Sequence, residues 1–276
     1  MKIKALLSEG KKTIDRELNG YLTKKGKLAK AMRYSVFAGG KRFRPILCLA
    51  TAEALGKKAE KVLPFACAVE LVHTFTLIHD DLPAMDNSDF RRGKPTCHKV
   101  YGEAMAILAG DALNTLAFKI ISAYPEAARE LSVALLEVVE GQAADLEATG
   151  KRLSLKQLKH IHLWKTAALL KACVKGVAFI CEASTAKVKA LSTYAEHLGL
   201  AFQITDDILD ATSTQKKMGK PVKADVGKGF PHFIGLEKSS QLAEQEKERA
   251  MAALHGFDNK ADGLRRIAEY VVARNF

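Results

Sequence analysis

An all-α fold is predicted by three observations. Apolar residues recur at helical spacing along most of the chain, in segments rich in Ala, Leu, Lys and Glu. Glycine and proline signals separate those segments. No run of alternating β-branched residues between turns suggests a sheet. With 276 residues, 48% of them hydrophobic, the chain is long enough for a substantial core. No internal repeat or linker-like stretch divides it, so a single domain over 1–276 is expected.

Taken in order, helices are expected near 2–18, 27–37 and 43–55, with Gly39-Gly40 between the second and third and Gly56 after the third. The next runs over 63–80 and closes before Pro83. Beyond Gly93 to Pro95, helices at 100–123 and 126–148 are split by Tyr124-Pro125. Past Gly150, Ser154-Leu155-Lys156-Gln157 opens a helix over 154–181 as a capping box. A helix at 186–212 precedes the stretch Gly219 to Pro231, and helices at 233–255 and 262–274 complete the chain. Val69–His79 and Val188–Leu209 are apolar over much of their circumference, which places both inside the bundle.

The formal net charge is +12, and nearly all of that surplus lies in the first 61 residues. Aromatic residues are only 7%, and no zinc-finger or RNP-like motif occurs, so a field that draws in small polyanions fits better than nucleic acid. No stretch of about 18 apolar residues suggests a membrane span. The five cysteines form no Cys-x-x-Cys pair and read as buried thiols in a reducing compartment, with the cytoplasm the simplest address.

Chemistry concentrates in two acidic clusters. The first is His79-Asp80-Asp81-Leu82-Pro83-Ala84-Met85-Asp86, with Arg91, Arg92 and Lys94 behind it. The second is Gln203-Ile204-Thr205-Asp206-Asp207-Ile208-Leu209-Asp210, with Lys220 beyond. Both lie in apolar runs, where ionised carboxylates cost several kcal/mol unless something pairs them. Mg²⁺ suits them, because it takes hard oxygen ligands and keeps water or substrate phosphates for the rest. Asp206 and Asp210 are four apart and fall on one helix face. Asp80 and Asp86 are six apart, and Pro83 must break the helix to bring them together. His160 and His162 are two apart, face apart on a helix and make no metal pair.

The chain resembles the trans-isoprenyl diphosphate synthases, and among them the bacterial farnesyl diphosphate synthases. The resemblance is carried by Ala38-Gly39-Gly40-Lys41-Arg42-Phe43-Arg44-Pro45, both Asp motifs, Phe90-Arg91-Arg92-Gly93-Lys94-Pro95-Thr96, Ile107 to Asp111, Gly141 to Leu146, Lys165-Thr166 and Tyr270 to Asn275. It implies an isoprenoid synthase fold, a helical bundle around a central cavity, and a prenyl transfer. An allylic diphosphate ionises, isopentenyl diphosphate attacks the cation, and proton loss leaves a product five carbons longer.

The resemblance also implies roles. Asp80, Asp81, Asp86, Asp206, Asp207 and Asp210 would hold up to three Mg²⁺ on the allylic diphosphate, with Arg91 and Lys220 completing that site. Lys165, Thr166 and Gln203 would face the cation. Gly40, Lys41, Arg44, His73 and Arg92 would bind isopentenyl diphosphate without metal; Arg42 has no role that the resemblance assigns and is expected only to solvate the rim. Phe75, with Thr76 beside it, would block the prenyl channel about one helical turn below Asp80 and stop growth at fifteen carbons. A homodimer without membrane insertion is implied as well. Lys223 stands where the family usually has Gly, and the loop after it is short. The alternatives are a geranylgeranyl diphosphate synthase, a terpene cyclase, against which Lys41, Arg44 and Arg92 argue, and a non-catalytic partner subunit, which would lack one metal motif.

Overall fold

The structure is a computed structural model that describes residues 3–22, 25–148, 151, 153–212 and 229–274. The helices are α1 (Ile3–Tyr21), α2 (Lys27–Val36), α3 (Phe43–Ala54), α4 (Leu63–Asp80), α5 (Cys97–Tyr101), α6 (Glu103–Ile120), α7 (Pro125–Glu147), α8 (Leu155–His162), α9 (Ala168–Ile180), α10 (Thr185–Thr212), α11 (Phe230–Ile234), α12 (Leu236–Ala253) and α13 (Asp262–Ala273). A π turn, Leu163–Ala167, joins α8 to α9.

Three of the expected helices are interrupted. Gly102 and Gly235 adopt positive φ and separate α5 from α6 and α11 from α12, which splits off a short leading helix in each case. The π turn interrupts 154–181. The capping box is formed as expected: Ser154 Oγ accepts from the Gln157 N–H, and Gln157 Oε1 accepts from the Ser154 N–H.

A minimal hairpin also forms, β1 (Phe90–Arg91) against β2 (Lys94–Pro95). Its two-residue turn, Arg92-Gly93, has positive φ at both positions, the geometry such turns require. Two residues per strand are too few to give an alternating pattern, so the sequence carries no strand signal here.

The core is built around α4, which is buried on nearly every side from Phe65 to Ile78 because its sequence is apolar all round. It packs against α6 and α3, while α9 lies between α3 and α7. The long α10 packs on α9 and α12, burying Tyr194, whose hydroxyl donates to the Leu264 carbonyl at 2.7 Å. The two central helices therefore carry the two Asp motifs at their C-terminal ends. All five cysteines are free and buried. Among the described residues, no helix is long and apolar enough to cross a membrane.

Candidate active site

The first acidic motif is shaped by the end of α4. The helix stops at Asp80, and the chain turns through Pro83 so that the Asp86 N–H donates to the Asp80 carbonyl at 2.9 Å. Six residues of separation thus become adjacency, as the proline demands. Asp81 is buried, and both its oxygens accept from Arg91 Nε, with Nη2 adding a third bond, at 2.7–2.9 Å. Burial pushes the Asp80 carboxyl up to about 6, with Asp86 and Asp81 adding to the rise and Lys165 and Arg91 opposing it.

The second motif differs. Asp206 accepts from Arg274 Nη2 at 2.6 Å, and the Arg274 guanidinium lies 3.7 Å over the Phe202 ring. Burial pushes the Asp206 carboxyl up to about 6 despite Arg274, with Asp210 and Asp207 contributing. Asp207, expected to face metal, has protein partners for both oxygens. Its Oδ1 accepts from Gln203 Nε2 at 3.1 Å, and its Oδ2 lies 2.9 Å from the Phe230 N–H and 3.1 Å from His162 Nε2. Both oxygens thus bond within the protein, and they fasten α10 to α8 and to the start of α11. Asp81 is engaged in the same way by Arg91. Burial next to fixed donors is the reason in each case, since a buried carboxylate without donors is costly.

The π turn lies between the motifs. Gly141 on α7 lets it approach, because a Cβ there would stand 2.7 Å from the Lys165 nitrogen. Lys165 Nζ donates to Asp145 at 2.8 Å, and Thr166 Oγ1 donates to Gln203 Oε1 at 2.9 Å. Burial works against the Lys165 ammonium, yet Asp145, Asp80 and Asp86 hold its pKa above the ordinary value. Lys165 therefore acts on the first motif, while Thr166 reaches the second through Gln203. Such turns inside helices recur at functional sites.

A basic cluster faces this arrangement. Arg44 Nη1 is 3.5 Å from His73 Nε2, and Arg92 Nη1 donates to the Gly39 carbonyl at 2.7 Å. The Arg92 guanidinium lies flat on Gly40, where a Cβ would come within 2.6 Å of it. Burial, then Arg44 and Arg92, force the His73 pKa well below its ordinary value. Burial lowers Arg44 and Arg92 as well, with their like-charged neighbours adding to the effect at Arg92. Arg44 Nε is buried with no hydrogen-bond partner. Depressed cations and an orphaned donor are what an anion would relieve. Lys41 is exposed, with its ammonium 5.7 Å from the Tyr270 ring centroid. Asp206 acts electrostatically on Arg44, which ties this cluster to the second motif.

Arg42 corrects the sequence reading. It is 2% exposed, not at the rim, and its three nitrogens donate to Asp15, Glu70 and the Val36 carbonyl. Phe75 is partly buried against the core, edge-on to His79 at 5.1 Å between centroids. Thr76 is half-buried, its hydroxyl donating to the His73 carbonyl of its own helix at 2.9 Å. His160 packs on Trp164, so the two histidines serve separate contacts. Lys220, Lys223, Asp225 and Lys228 lie outside the described residues. Sequence reasoning gave no role to Arg274, Asp145 or Glu70. Arg274 and Asp145 had a signal, since both stand inside motifs that carry the resemblance, whereas Glu70 had none.

Among the described residues, no three His, Cys, Asp or Glu side chains form a ready-made metal cage. The fit to Mg²⁺ rests instead on two carboxylates, Asp80 and Asp206, each held up to about 6 by burial despite a cationic neighbour. Hard oxygen donors with unsatisfied negative charge suit a cation that takes its other ligands from phosphates and water.

The sequence signature of the polyprenyl synthetase family matches residues 25–271. The chain is 43% identical to farnesyl diphosphate synthase of Geobacillus stearothermophilus, over all of this chain and 99% of that one. It is 46% identical to geranylgeranyl diphosphate synthase of Cyanophora paradoxa, over 89% of this chain and 87% of that one. Its fold matches the apo crystal structure of an FPP/GFPP synthase from Zymomonas mobilis with a TM-score of 0.86 and 37% identity, covering 98% of this chain and 99% of the other. With the acidic motifs, the π turn and the basic cluster gathered in one helical bundle, the chain belongs to the polyprenyl synthetase family.

Proposed function

We propose that this protein condenses isopentenyl diphosphate with dimethylallyl and then geranyl diphosphate to make farnesyl diphosphate. The observation that carries the reading is the juxtaposition of two acidic helix ends with a basic cluster. Asp80, Asp86, Asp206 and Asp210 would hold Mg²⁺ against the allylic diphosphate, with Asp81 and Asp207 positioning Arg91 and Gln203. Bound Mg²⁺ supplies charge neutralisation as pyrophosphate departs. Lys165 and Arg91 orient the leaving diphosphate from the protein side, where preorganised cations act without reorganising. The Thr166 hydroxyl, fixed by Gln203, and the amide oxygen of Gln203 temper the allylic cation. Arg44, His73, Arg92 and Lys41 hold isopentenyl diphosphate by its intact diphosphate. Departing pyrophosphate is the base for the final proton.

A homodimer accompanies this reading. Ile107 and Leu108 on α6 and Val133, Leu136, Val139 and Leu146 on α7 are exposed apolar residues, which suits burial against a second copy. Light scattering at micromolar concentration is expected to give a dimer, and Leu136→Glu a monomer. Charged diphosphate substrates fit a reaction in the cytoplasm. The test of the function is incubation with Mg²⁺, isopentenyl diphosphate and dimethylallyl diphosphate, followed by chromatography. A fifteen-carbon product supports the proposal, a twenty-carbon product points to geranylgeranyl diphosphate, and a product formed without isopentenyl diphosphate points to a cyclase.

A further inference from the structure

Arg42 takes part in none of the steps above, yet it is among the most constrained side chains in the molecule. It starts α3 with a left-handed backbone, φ 54°, which is uncommon for a residue other than glycine. Its guanidinium is fully engaged: Nε donates to Asp15 on α1 at 2.7 Å, Nη1 to Glu70 on α4 at 2.8 Å, and Nη2 to the Val36 carbonyl at the end of α2 at 2.6 Å. Arg42 and Glu70 are each 2% exposed, so this ion pair is removed from water.

The position of Glu70 makes the pair consequential. It lies three residues before His73 on α4, hence one turn away on the same face. His73 contacts Arg44, which is two residues after Arg42. Glu70 also acts electrostatically on both Arg44 and Arg92. A buried carboxylate one helical turn from His73 therefore acts on the cations that would bind a diphosphate, and the guanidinium of Arg42 is what it bonds.

Resting on the reading of Arg44, His73 and Arg92 as the isopentenyl diphosphate site, we propose that Arg42 is a positioning residue that sequesters Glu70 from that site. With Arg42 in place, Glu70 supplies a countercharge that lets several cations gather around His73. Without Arg42, Glu70 turns to Arg44 or Arg92 and competes with the diphosphate for their N–H donors, because a buried carboxylate takes any donor it can reach. Arg42 thus acts on the substrate through another residue and never touches it.

The test is calorimetric titration of isopentenyl diphosphate into the full-length protein without Mg²⁺. Arg42→Ala is expected to weaken binding by about tenfold or more, as loss of a charge-assisted contact does. Arg42→Ala/Glu70→Gln removes the competitor as well and is expected to return within about threefold of wild type, the sign of direct coupling between the two positions. A double variant as weak as the single one overturns the proposal, because removing the competing carboxylate should free Arg44 and Arg92 for the diphosphate. If Arg42→Ala loses its helical circular dichroism, the volume-conserving pair Arg42→Met/Glu70→Met replaces it. That pair is expected within about threefold of wild type, and tenfold weakening in the folded protein overturns the proposal. Wild-type protein that binds no isopentenyl diphosphate overturns the proposed function itself, so the two failures are told apart.

Discussion

The acidic motifs and the basic cluster are electrostatic opposites, and under the proposed function each holds a diphosphate. At the C-terminal ends of α4 and α10, burial pushes Asp80 and Asp206 up to about 6, because the protein leaves their charge undercompensated. Around the start of α3, burial pushes His73, Arg44 and Arg92 down, and like-charged neighbours add to the effect at His73 and Arg92. Added cations would relieve the first region, and an added anion the second. Under the proposed function this difference separates the substrates: the diphosphate that must leave is held through metal, and the one that must stay is held by fixed cations.

The largest expected effect breaks the acidic side. Asp80→Ala or Asp206→Ala is expected to lower kcat by at least the 10²–10³-fold typical of lost transition-state electrostatics, roughly 2.7–4 kcal/mol, with unchanged circular dichroism. Near-normal turnover in either variant removes the metal assignment. Breaking the basic side has a different signature. Arg44→Ala or Arg92→Ala is expected to raise the KM for isopentenyl diphosphate by about 10–100-fold, from about 1.5–3 kcal/mol per charged hydrogen bond. The half-saturating Mg²⁺ concentration should stay put, and a parallel rise in both quantities contradicts the division of labour.

Much of this was legible in the sequence, for identifiable reasons. Helix periodicity located the central helices, and the four-residue spacing of Asp206 and Asp210 and the break at Pro83 followed from helix geometry alone. The partners of those residues were not legible. Arg274 lies 68 residues from Asp206, and Asp15 lies 27 from Arg42, distances over which no local pattern operates. Arg42 was misread because an arginine between Lys41 and Arg44 looks like one more surface cation, while its burial is set by α1 and α4. Asp207 was grouped with Asp206 by motif, although neighbouring helical residues point about 100° apart. One faces Arg274 and the other His162 and Phe230.

The two sides should also respond oppositely to pH. Asp80 has a folded pKa of about 6 against an ordinary 3.8. Its contribution to stability is fully present below the ordinary value and is lost as pH rises through about 6. Without Mg²⁺, Asp80→Asn is therefore expected to raise Tm relative to wild type at pH 7.5 and to leave it nearly unchanged at pH 4. His73 is depressed, so its contribution is present above about 6.5, the ordinary histidine value, and is lost as pH falls below that. His73→Gln should flatten that acid limb in thermal melts, and identical acid limbs in the two proteins would contradict the burial of a neutral imidazole. The smallest effect on rate is expected at Phe75. Phe75→Ala should keep turnover within a few-fold while lengthening the product to twenty carbons or more, by removing bulk from the channel floor. Unchanged product length on chromatography rejects Phe75 as the stop.

The most direct test of the contrast is calorimetric binding of isopentenyl diphosphate and of a non-ionising thiolo analogue of dimethylallyl diphosphate, each with and without Mg²⁺. Mg²⁺ is expected to tighten the allylic analogue by about 100-fold or more while changing isopentenyl diphosphate by less than about threefold, since only one diphosphate lies against undercompensated carboxylates. Equal Mg²⁺ dependence for the two ligands would contradict the account.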